Sequence, residues 1–521
     1  MLIPDIDQII ARLTELPALV NLGCVNKYFY KLVSDQPIIK QWLIIKNMHG
    51  KKKSIDDIFV EACRQNFLSY GMFLLKENKI DIHVHNEHAF RYSCQNGHIQ
   101  IANWLIQLGE SGEYKRININ ADNEHAFRYS CKNGHIKIAH WLIQLSESGK
   151  YNKININTDS ENAFRRSCQN GHIQIANWLI QLGESGEYGQ ININTDDEDA
   201  FGRSCQNGHI QIAHWLIQLG ESGKYNKINI NADSENAFRH SCQNGHIQIA
   251  NWLIQLGESG KYNRININAC NEDAFECSCQ NGHIQIANRL IQLGESGEYK
   301  RIKINADNEY AFVYSCKNGH MQIANWLIQL GESGKYEKIN INIRNENAFR
   351  YSCQNGHIQI ANWLIQLGES GKYNKINIHA LSEWAFIYSC ENGHIQIANR
   401  LIQLGESGKY NKININAYDE YAFRYSCQNG HIQIANWLIQ LGESGKYNRI
   451  NINTNNEWAF RYSCQTGQIQ IAHWLIQLGE SGEYKKINIH ADNEHAFKYS
   501  CENGYIQIAN WLIQLNESGG Y

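Results

Sequence analysis

A phenylalanine recurs at a fixed interval of 37 residues through most of the chain. Phe90 is the first of twelve such residues and Phe497 is the last. Each precedes a nearly constant block, which in its first copy runs from Ser93 to Gly109. A period of this length is typical of a solenoid, in which each unit buries its apolar face only against its neighbours. The 521 residues therefore need not share one globular core, because a solenoid core grows along one axis.

Within each unit the sequence predicts two helices. The residue four positions before each phenylalanine is Asn, Ser or Asp and the next is always Glu. This pair is typical of a helix N-cap followed by a carboxylate that complements the helix dipole. We predict that the first helix ends at Gly97 and that the second covers 99–108 and stops at Gly109. The alternating segment 117–120 predicts a short extended or hairpin arm.

The block from Gly97 to Gly109 resembles the second-helix block of ankyrin repeats, and Ile119-Asn120 resembles their closing hydrophobe–asparagine pair. The Thr-Pro-Leu-His signature of that family is here replaced by 88–91, and the unit exceeds the family's length of about 33 residues. The resemblance implies an all-α repeat fold. It would be an ankyrin-type solenoid of helix-turn-helix units with short β-hairpin-like connections, preceded by a small helical module.

The first fifty residues differ in composition from the rest, since all three prolines lie there: Pro4, Pro17 and Pro37. We therefore divide the chain into three parts. Residues 1–50 form a helical module. Residues 51–85 contain a linker and a degenerate first ankyrin-like repeat, and residues 86–521 contain twelve repeats of 37 residues.

The module at 1–50 resembles an F-box. Ile3-Pro4-Asp5 stands where that family has an apolar residue, proline and spacer, and the apolar series from Leu19 to Leu32, with Trp42, resembles its later helices. In the family this module docks the adaptor subunit of cullin-type ubiquitin ligases. The adaptor-binding residues implied by the resemblance are Ile3, Pro4, Leu19, Leu22, Val25, Leu32 and Trp42. The alternative is a helical cap that only shields the first repeat.

Charge and hydropathy restrict the class of partner. The net charge is -3 and the mean hydropathy is -0.50, with no long apolar run. There is no basic excess that would indicate a nucleic-acid or membrane partner. Asp5 and Asp7 stand where a secretory signal would carry positive charge, so we predict an intracellular protein without a signal peptide or transmembrane segment.

The cysteines follow the repeat. Thirteen of the sixteen form one column, of which Cys94 is a member. Packed helices lie about 8–10 Å apart, and a disulfide needs Cα atoms within about 7 Å, so the column is not expected to pair along its own length. We predict small buried thiols in a reducing compartment.

Cys94 and His98 recur together in most units and raise the questions of metal binding and nucleophilic catalysis. Each unit offers one Cys and one His, whereas structural zinc takes four ligands. Gln468 and Tyr505 replace the histidine in the last two units. We therefore predict no catalytic residue, no cofactor and no metal; the histidine is interpreted as a helix-capping residue.

The units differ most at four positions around the phenylalanine: five and two before it, and one and two after it. In ankyrin repeats these positions belong to the hairpin tips and the inner helix, the family's usual protein-binding surface, and aromatic and Arg side chains are typical interface anchors. The aromatic content rises from Tyr310 to Trp458. The alternative is drift at exposed positions. We predict a concave partner-binding face that contains Tyr310, Tyr314, Arg344, Tyr351, Trp384, Tyr388, Tyr418, Tyr421, Tyr425, Trp458 and Tyr462.

Together the resemblances imply a non-enzymatic protein–protein interaction scaffold that recruits a target protein to a cullin-type ubiquitin ligase. The alternative is an ankyrin scaffold without that link, whose N-terminal helices serve as a cap. Nucleic-acid binding is disfavoured by Glu and Asp in the columns next to the Arg and Tyr positions. Nearly identical arrays beside an F-box resemble the ankyrin-repeat proteins of giant DNA viruses (mimivirus-like), which implies host–virus interaction in the host cytoplasm.

Overall fold

The computed structural model describes residues 54–517. The predicted module at 1–50 lies outside the described residues. So do all of its predicted adaptor-binding residues: Ile3, Pro4, Leu19, Leu22, Val25, Leu32 and Trp42. Residues 54–517 form 26 α-helices and contain no strand, which confirms the predicted all-α repeat class.

The chain divides into two compact units at Asn229 and Ile230. The helices of the first unit are α1 (Ile55–Arg64), α2 (Leu68–Glu77), α3 (Val84–Gln95), α4 (Ile99–Glu110), α5 (Ala121–Lys132), α6 (Ile136–Glu147), α7 (Thr158–Gln169), α8 (Ile173–Glu184), α9 (Thr195–Gln206) and α10 (Ile210–Glu221). Those of the second unit are α11 (Ala232–Gln243), α12 (Ile247–Glu258), α13 (Ala269–Gln280), α14 (Ile284–Glu295), α15 (Ala306–Lys317), α16 (Met321–Glu332), α17 (Ile343–Gln354), α18 (Ile358–Glu369), α19 (Ala380–Glu391), α20 (Ile395–Glu406), α21 (Ala417–Gln428), α22 (Ile432–Glu443), α23 (Thr454–Gln465), α24 (Ile469–Glu480), α25 (Ala491–Glu502) and α26 (Ile506–Glu517).

Each repeat contributes an odd-numbered first helix and an even-numbered second helix. Within each unit, a first helix packs on the second helix of its own repeat and on the first helix of the next repeat. The periodic phenylalanines, such as Phe349, are fully buried, apart from Phe497 of the last repeat, which is 36% exposed. The column cysteines are free and buried, apart from the exposed Cys501 of the last repeat. The core is therefore continuous within each unit, as expected for stacked repeats.

The start of the first helix differs from the prediction. The polar residue before the conserved Glu is not an N-cap: His85, Asn86 and Glu87 all have positive φ (53°, 58° and 64°), and the side chain of the N-cap residue His83 makes no capping bond. Every first helix from α3 onward opens with this left-handed turn. Left-handed backbone costs roughly 1–2 kcal/mol per residue, and less for Asn and Asp. Asn and Asp suit an N-cap and a left-handed turn equally, so the predicted N-cap at this position is wrong.

The turn between the two helices agrees with the prediction. Gly97 has φ +85° directly after the first helix. A Cβ atom on Gly97 would lie 2.8 Å from Cε1 of His135, the histidine of the next repeat. His135 in turn bonds the carbonyl of Gln95, at the end of the preceding first helix. The Gly-His pair is thus an inter-repeat contact, and the histidine does not cap its own helix through its side chain.

The second helix does not stop at its glycine. Gly109 is buried inside α4, which continues to Glu110, and the left-handed residue after the helix is Gly112 (φ +86°). A Cβ atom on Gly109 would lie 3.0 Å from the carbonyl oxygen of Lys115. Glycine is needed here because the connecting segment crosses the helix at close range. That segment then buries Ile117 and Ile119 without β pairing within the described residues.

The tryptophans of the second helices are half-buried and lie against the phenylalanine of the preceding repeat. Ring centroids are 6.0–6.3 Å apart, for example 6.3 Å between Phe312 and Trp363. Arg289 replaces the tryptophan that would cover Phe238, and a small cavity of about 10 Å³ lies between them. The tryptophan column is therefore part of the core, at its rim.

Replacing Arg289 by tryptophan should raise the free energy of unfolding by about 1–2 kcal/mol, because an aromatic ring would fill the cavity and bury apolar surface. Urea unfolding followed by circular dichroism measures the change. Arg400→Trp is the matched control at the equivalent position. Its gain should be smaller, since Arg400 Nε already donates to Asn362 Oδ1 at 3.1 Å. A gain for Arg400→Trp equal to or larger than that for Arg289→Trp would contradict this explanation.

Candidate functional site

The predicted aromatic positions of the second unit come together as one continuous row of rings. We call this row the aromatic ladder. It contains eleven side chains, in order Tyr310, Tyr314, Tyr351, Trp384, Tyr388, Tyr421, Tyr425, Trp458, Tyr462, His495 and Tyr499. Neighbouring ring centroids are 3.9–6.5 Å apart throughout. Nine of the eleven were predicted as partner-binding residues, and the ladder extends beyond them by His495 and Tyr499.

The repeat geometry explains the ladder. The positions two before and two after the phenylalanine are four residues apart, so their rings stack on one face of the first helix. In this way Tyr421 and Tyr425 are 3.9 Å apart, and Trp458 and Tyr462 are 4.1 Å apart. Adjacent first helices bring the second ring of one repeat near the first ring of the next, at 4.6 Å between Tyr425 and Trp458. The tyrosines and tryptophans of the ladder are half-buried.

The two other predicted residues lie beside the ladder and not in it. Arg344 and Tyr418 are exposed at the first position of the left-handed turn, with φ +49° and +52°. Tyr418 is 60% exposed. Together with the ladder they give the second unit a surface rich in Tyr, Trp and Arg.

Buried arginines contact the rings of the ladder. The sequence predicts their position only as one that varies between repeats. Arg350 is 5% exposed, and its Nε donates to the carbonyl oxygen of Asn345 in the left-handed turn at 2.6 Å. Its guanidinium carbon lies 4.7 Å from the ring centroid of Trp384 in the next repeat. Arg424 lies 4.9 Å from that of Trp458. Each arginine thus closes the strained turn and holds a ladder ring in place.

The conserved Glu also acts between repeats, and not on its own helix dipole. Glu346 is 6% exposed; its Oε1 accepts from the backbone N–H of Asn377, in the segment that leads into the next first helix, and from Nδ2 of Asn342, both at 3.1 Å. Burial raises the pKa of Glu346. The pKa of Glu309 is raised to about 7, also mainly by burial. A Glu in every unit, and an Asn in most units at the position of Asn342, are the sequence features that indicate this contact.

The arginine position is interrupted in the second unit. Glu276, Val313 and Ile387 occupy it in three repeats, and all three side chains are buried. Beside Val313 lies a cavity of about 240 Å³ that opens on the first rings of the ladder, Tyr310 and Tyr314. It is the natural candidate for a pocket that accepts one side chain of a partner.

The first unit carries a shorter histidine–tyrosine row. His88, Tyr92, His125 and Tyr129 follow one another with ring centroids 4.1–5.8 Å apart. Burial lowers the pKa of His125 to about 4, so this row is uncharged near neutral pH. The row lacks tryptophan, which sets it apart from the ladder.

The buried thiols of the cysteine column are held in the protonated form. Burial raises the pKa of Cys94 and of Cys353 far above the ordinary value, which keeps both thiols protonated. Among residues 54–517, no group of three or more His, Cys, Asp or Glu is placed to hold a metal ion. Within the same residues, no helix has the length and apolar character needed to cross a membrane.

Comparison with known proteins agrees with the repeat geometry. The family model for ankyrin repeats (3 copies) matches residues 166–269, 201–303 and 275–377. A search of the curated proteins finds no match. Among solved structures, the human ASB11 ankyrin repeat domain is similar at 14% identity, with a TM-score of 0.28, over 43% of this chain and 95% of that chain. The described part of this chain is an all-helical ankyrin-repeat solenoid, and ankyrin repeats indicate a protein–protein interaction scaffold.

Proposed function

We propose that the protein is an adaptor that selects a target protein and brings it to a ubiquitin ligase. In this proposal the aromatic ladder binds an extended segment of the target, and residues 1–50 bind the adaptor subunit of a cullin-type ligase. The ladder is the observation that supports target binding. The F-box resemblance of residues 1–50 supports the ligase link.

The chemistry of the ladder suits a protein ligand. Tyr, Trp and Arg are the side chains that most often dominate binding energy at protein interfaces. Each ladder ring contacts a neighbouring ring in a stacked, tilted or edge-on arrangement. Several rings, such as those of Trp384 and Trp458, also contact a buried arginine. Rings fixed in this way lose little conformational entropy when a partner binds. The ladder presents a row of flat apolar ring faces with polar hydroxyl edges, which an extended peptide segment can contact at regular intervals.

Removing two central rings should abolish tight binding. We would select peptides on the full-length chain from a random display library and measure their affinity by titration calorimetry. The double variant Trp384→Ala/Trp458→Ala is expected to weaken binding at least 100-fold, since a central interface tryptophan contributes about 2 kcal/mol or more. The control Gln366→Ala/Gln440→Ala changes exposed residues on second helices of the same unit and should bind like the wild type. Equal affinities for both double variants would refute the ladder as the binding surface.

The ligase link needs a separate test with the full-length chain. Purified adaptor subunit of a cullin-type ligase should bind the wild type, and the variant Pro4→Asp/Leu22→Asp should not. Absence of binding by the wild type would leave an ankyrin scaffold whose N-terminal residues have another role, such as capping. Target binding by the ladder does not depend on this outcome.

A further inference from the structure

The left-handed turn before each periodic phenylalanine presents carbonyl oxygens that can bind a guanidinium group. We call this place, next to the residue that follows the phenylalanine, the guanidinium seat. Seven repeats place an arginine there, and in all seven its Nε donates to a carbonyl oxygen of the left-handed turn at 2.5–2.7 Å. A terminal nitrogen reaches the preceding carbonyl in most of them, as Arg424 does to Tyr418 at 2.9 Å. In several repeats an Asp of the next turn completes the seat; Arg128 pairs with Asp159 at 2.8 Å.

The same turn exists at Val313 without its arginine. Asp307, Asn308 and Glu309 have φ of 46°, 59° and 64°, as in the other repeats. Valine is too short to reach the turn carbonyls, and the cavity of about 240 Å³ lies there instead. Its walls include Asp307, Tyr310 and Tyr314. The cavity therefore has the position, and part of the lining, of a seat that other repeats fill with their own side chain.

The wall of this cavity contains one carboxylate, that of Asp307, whose Oδ1 accepts a hydrogen bond from Nδ2 of Asn271 at 2.5 Å. Asp307 makes no ion pair with any described residue, because the preceding repeat has Glu276 where others have the arginine that would pair with it. Glu276 is 6% exposed and its Oε1 has no hydrogen-bond partner among the described residues. Asp273 is already paired with Arg239 at 2.7 Å. The exposed Arg344 is the cationic group at the opposite rim.

We propose that the cavity beside Val313 binds the side chain of an arginine from the protein partner. The methylene groups would lie on Val313, and the guanidinium would face the rings of Tyr310 and Tyr314 and donate to Asp307 and to the turn carbonyls. A planar guanidinium with five donors fits this set better than an ammonium group does. The inference rests on the proposed function, since the arginine would belong to the segment held by the ladder.

The test uses acetyl-arginine amide as the probe, with acetyl-citrulline amide as the uncharged analogue, and saturation-transfer NMR on the full-length chain. The arginine probe should bind at least about 5-fold more tightly than citrulline, which keeps the shape and loses the charge. Val313→Arg would fill the seat from within and should reduce arginine binding about 10-fold or more. Gly202→Arg makes the same change at the equivalent position of the first unit and should leave binding unchanged.

A second variant tests the seat by gain of affinity. Arg344→Asp places at this rim the residue that pairs with the internal arginine in several other repeats, as Asp159 does. It should tighten binding of the arginine probe about 3-fold or more. Equal binding of arginine and citrulline, no detectable binding at 20 mM probe (about the weakest affinity of interest for one side chain), or unchanged binding in both Val313→Arg and Arg344→Asp would each overturn the proposal.

The outcome for the seat can be separated from that for the ladder. Trp458 lies four repeats from Val313, so Trp458→Ala should weaken binding of a long selected peptide and leave the arginine probe unaffected. Peptides that need Trp458 but bind Val313→Arg as well as the wild type would refute the arginine seat and retain the ladder. Binding of the arginine probe in the absence of any peptide binding would retain the arginine seat and refute the ladder.

Discussion

Replacing Gly356 by alanine is expected to lower the free energy of unfolding by about 3 kcal/mol, a large effect for the addition of one methyl group. Two causes act together. Gly356 has φ +83°, where alanine is strained by roughly 1–2 kcal/mol. The new Cβ atom would also lie 2.7 Å from Cε1 of His394 in the next repeat, so the histidine must leave its place. Urea unfolding monitored by circular dichroism measures the loss.

Gly371 provides a matched control in the same unit. It has φ +78° and no heavy atom within 4 Å of an added Cβ, so Gly371→Ala should cost only the backbone strain of about 1 kcal/mol. The double variant Gly356→Ala/His394→Ala should recover part of the additional loss, because the smaller side chain removes the overlap. Equal costs for Gly356→Ala and Gly371→Ala would show that the glycine–histidine contact between repeats is unimportant.

The free energy of unfolding should also fall with rising pH because of the carboxyl group of Glu276. Burial, followed by the charges of Asp307, Asp273 and Glu272, raises the pKa of Glu276 to about 8 from an ordinary value of 4.5. The carboxyl is therefore protonated when folded and ionised when unfolded between these two values. The folded chain is most stable, as far as Glu276 is concerned, below about pH 4.5, where the carboxyl is protonated in both states. The free energy of unfolding then falls progressively up to about pH 8, because only the unfolded chain gains a favourable ionisation in this range. One pKa unit corresponds to about 1.4 kcal/mol, so the total change should be about 3 kcal/mol or more.

Glu276→Gln isolates this contribution. Between pH 5 and pH 8.5 the variant should lose less stability than the wild type by about 3 kcal/mol, because the amide cannot ionise. Glu113→Gln removes an exposed carboxylate and controls for the change in net charge. A wild type and a Glu276→Gln variant with parallel pH profiles would show that Glu276 is ionised, and therefore paired, in the folded chain.

The sequence predicts the periodic parts of the structure well. The interval between Phe90 and its counterparts, the glycine at position 97 and the apolar alternation at 117–120 each reflect one local physical requirement. Each of these features can be recognised by comparing the copies of the repeat within the sequence. The structure confirms the helix pairs, the buried phenylalanines and the positive φ of Gly97 on that basis.

The errors arise where one residue type serves two purposes. Asn86 fits an N-cap and a left-handed turn equally, since a short polar side chain favours both. Gly109 fits a helix end and a close crossing of the backbone equally. In both cases the deciding partner is distant in sequence: Arg91 bonds the turn, and Lys115 crosses the glycine.

The candidate site was predictable as a set of residues but not as a continuous surface. Tyr425 and Trp458 are 33 positions apart, and only the stacking of first helices brings their rings to 4.6 Å. From the sequence, the positions of Arg350 and Val313 can be predicted only to vary between repeats. Their roles depend on a left-handed turn that the sequence interpretation did not contain.

Photo-crosslinking from inside the ladder tests whether the ladder is the surface that binds the partner. Tyr388→p-benzoylphenylalanine places a photoreactive ring at the middle of the ladder, and Gln366→p-benzoylphenylalanine places the same group on an exposed second helix of the preceding repeat. Each full-length variant would be irradiated with a peptide selected on the wild type. We expect a crosslinked product from position 388 and little or none from position 366. A crosslink from position 366 alone would show that partners bind the second-helix face and would contradict the ladder as the binding surface.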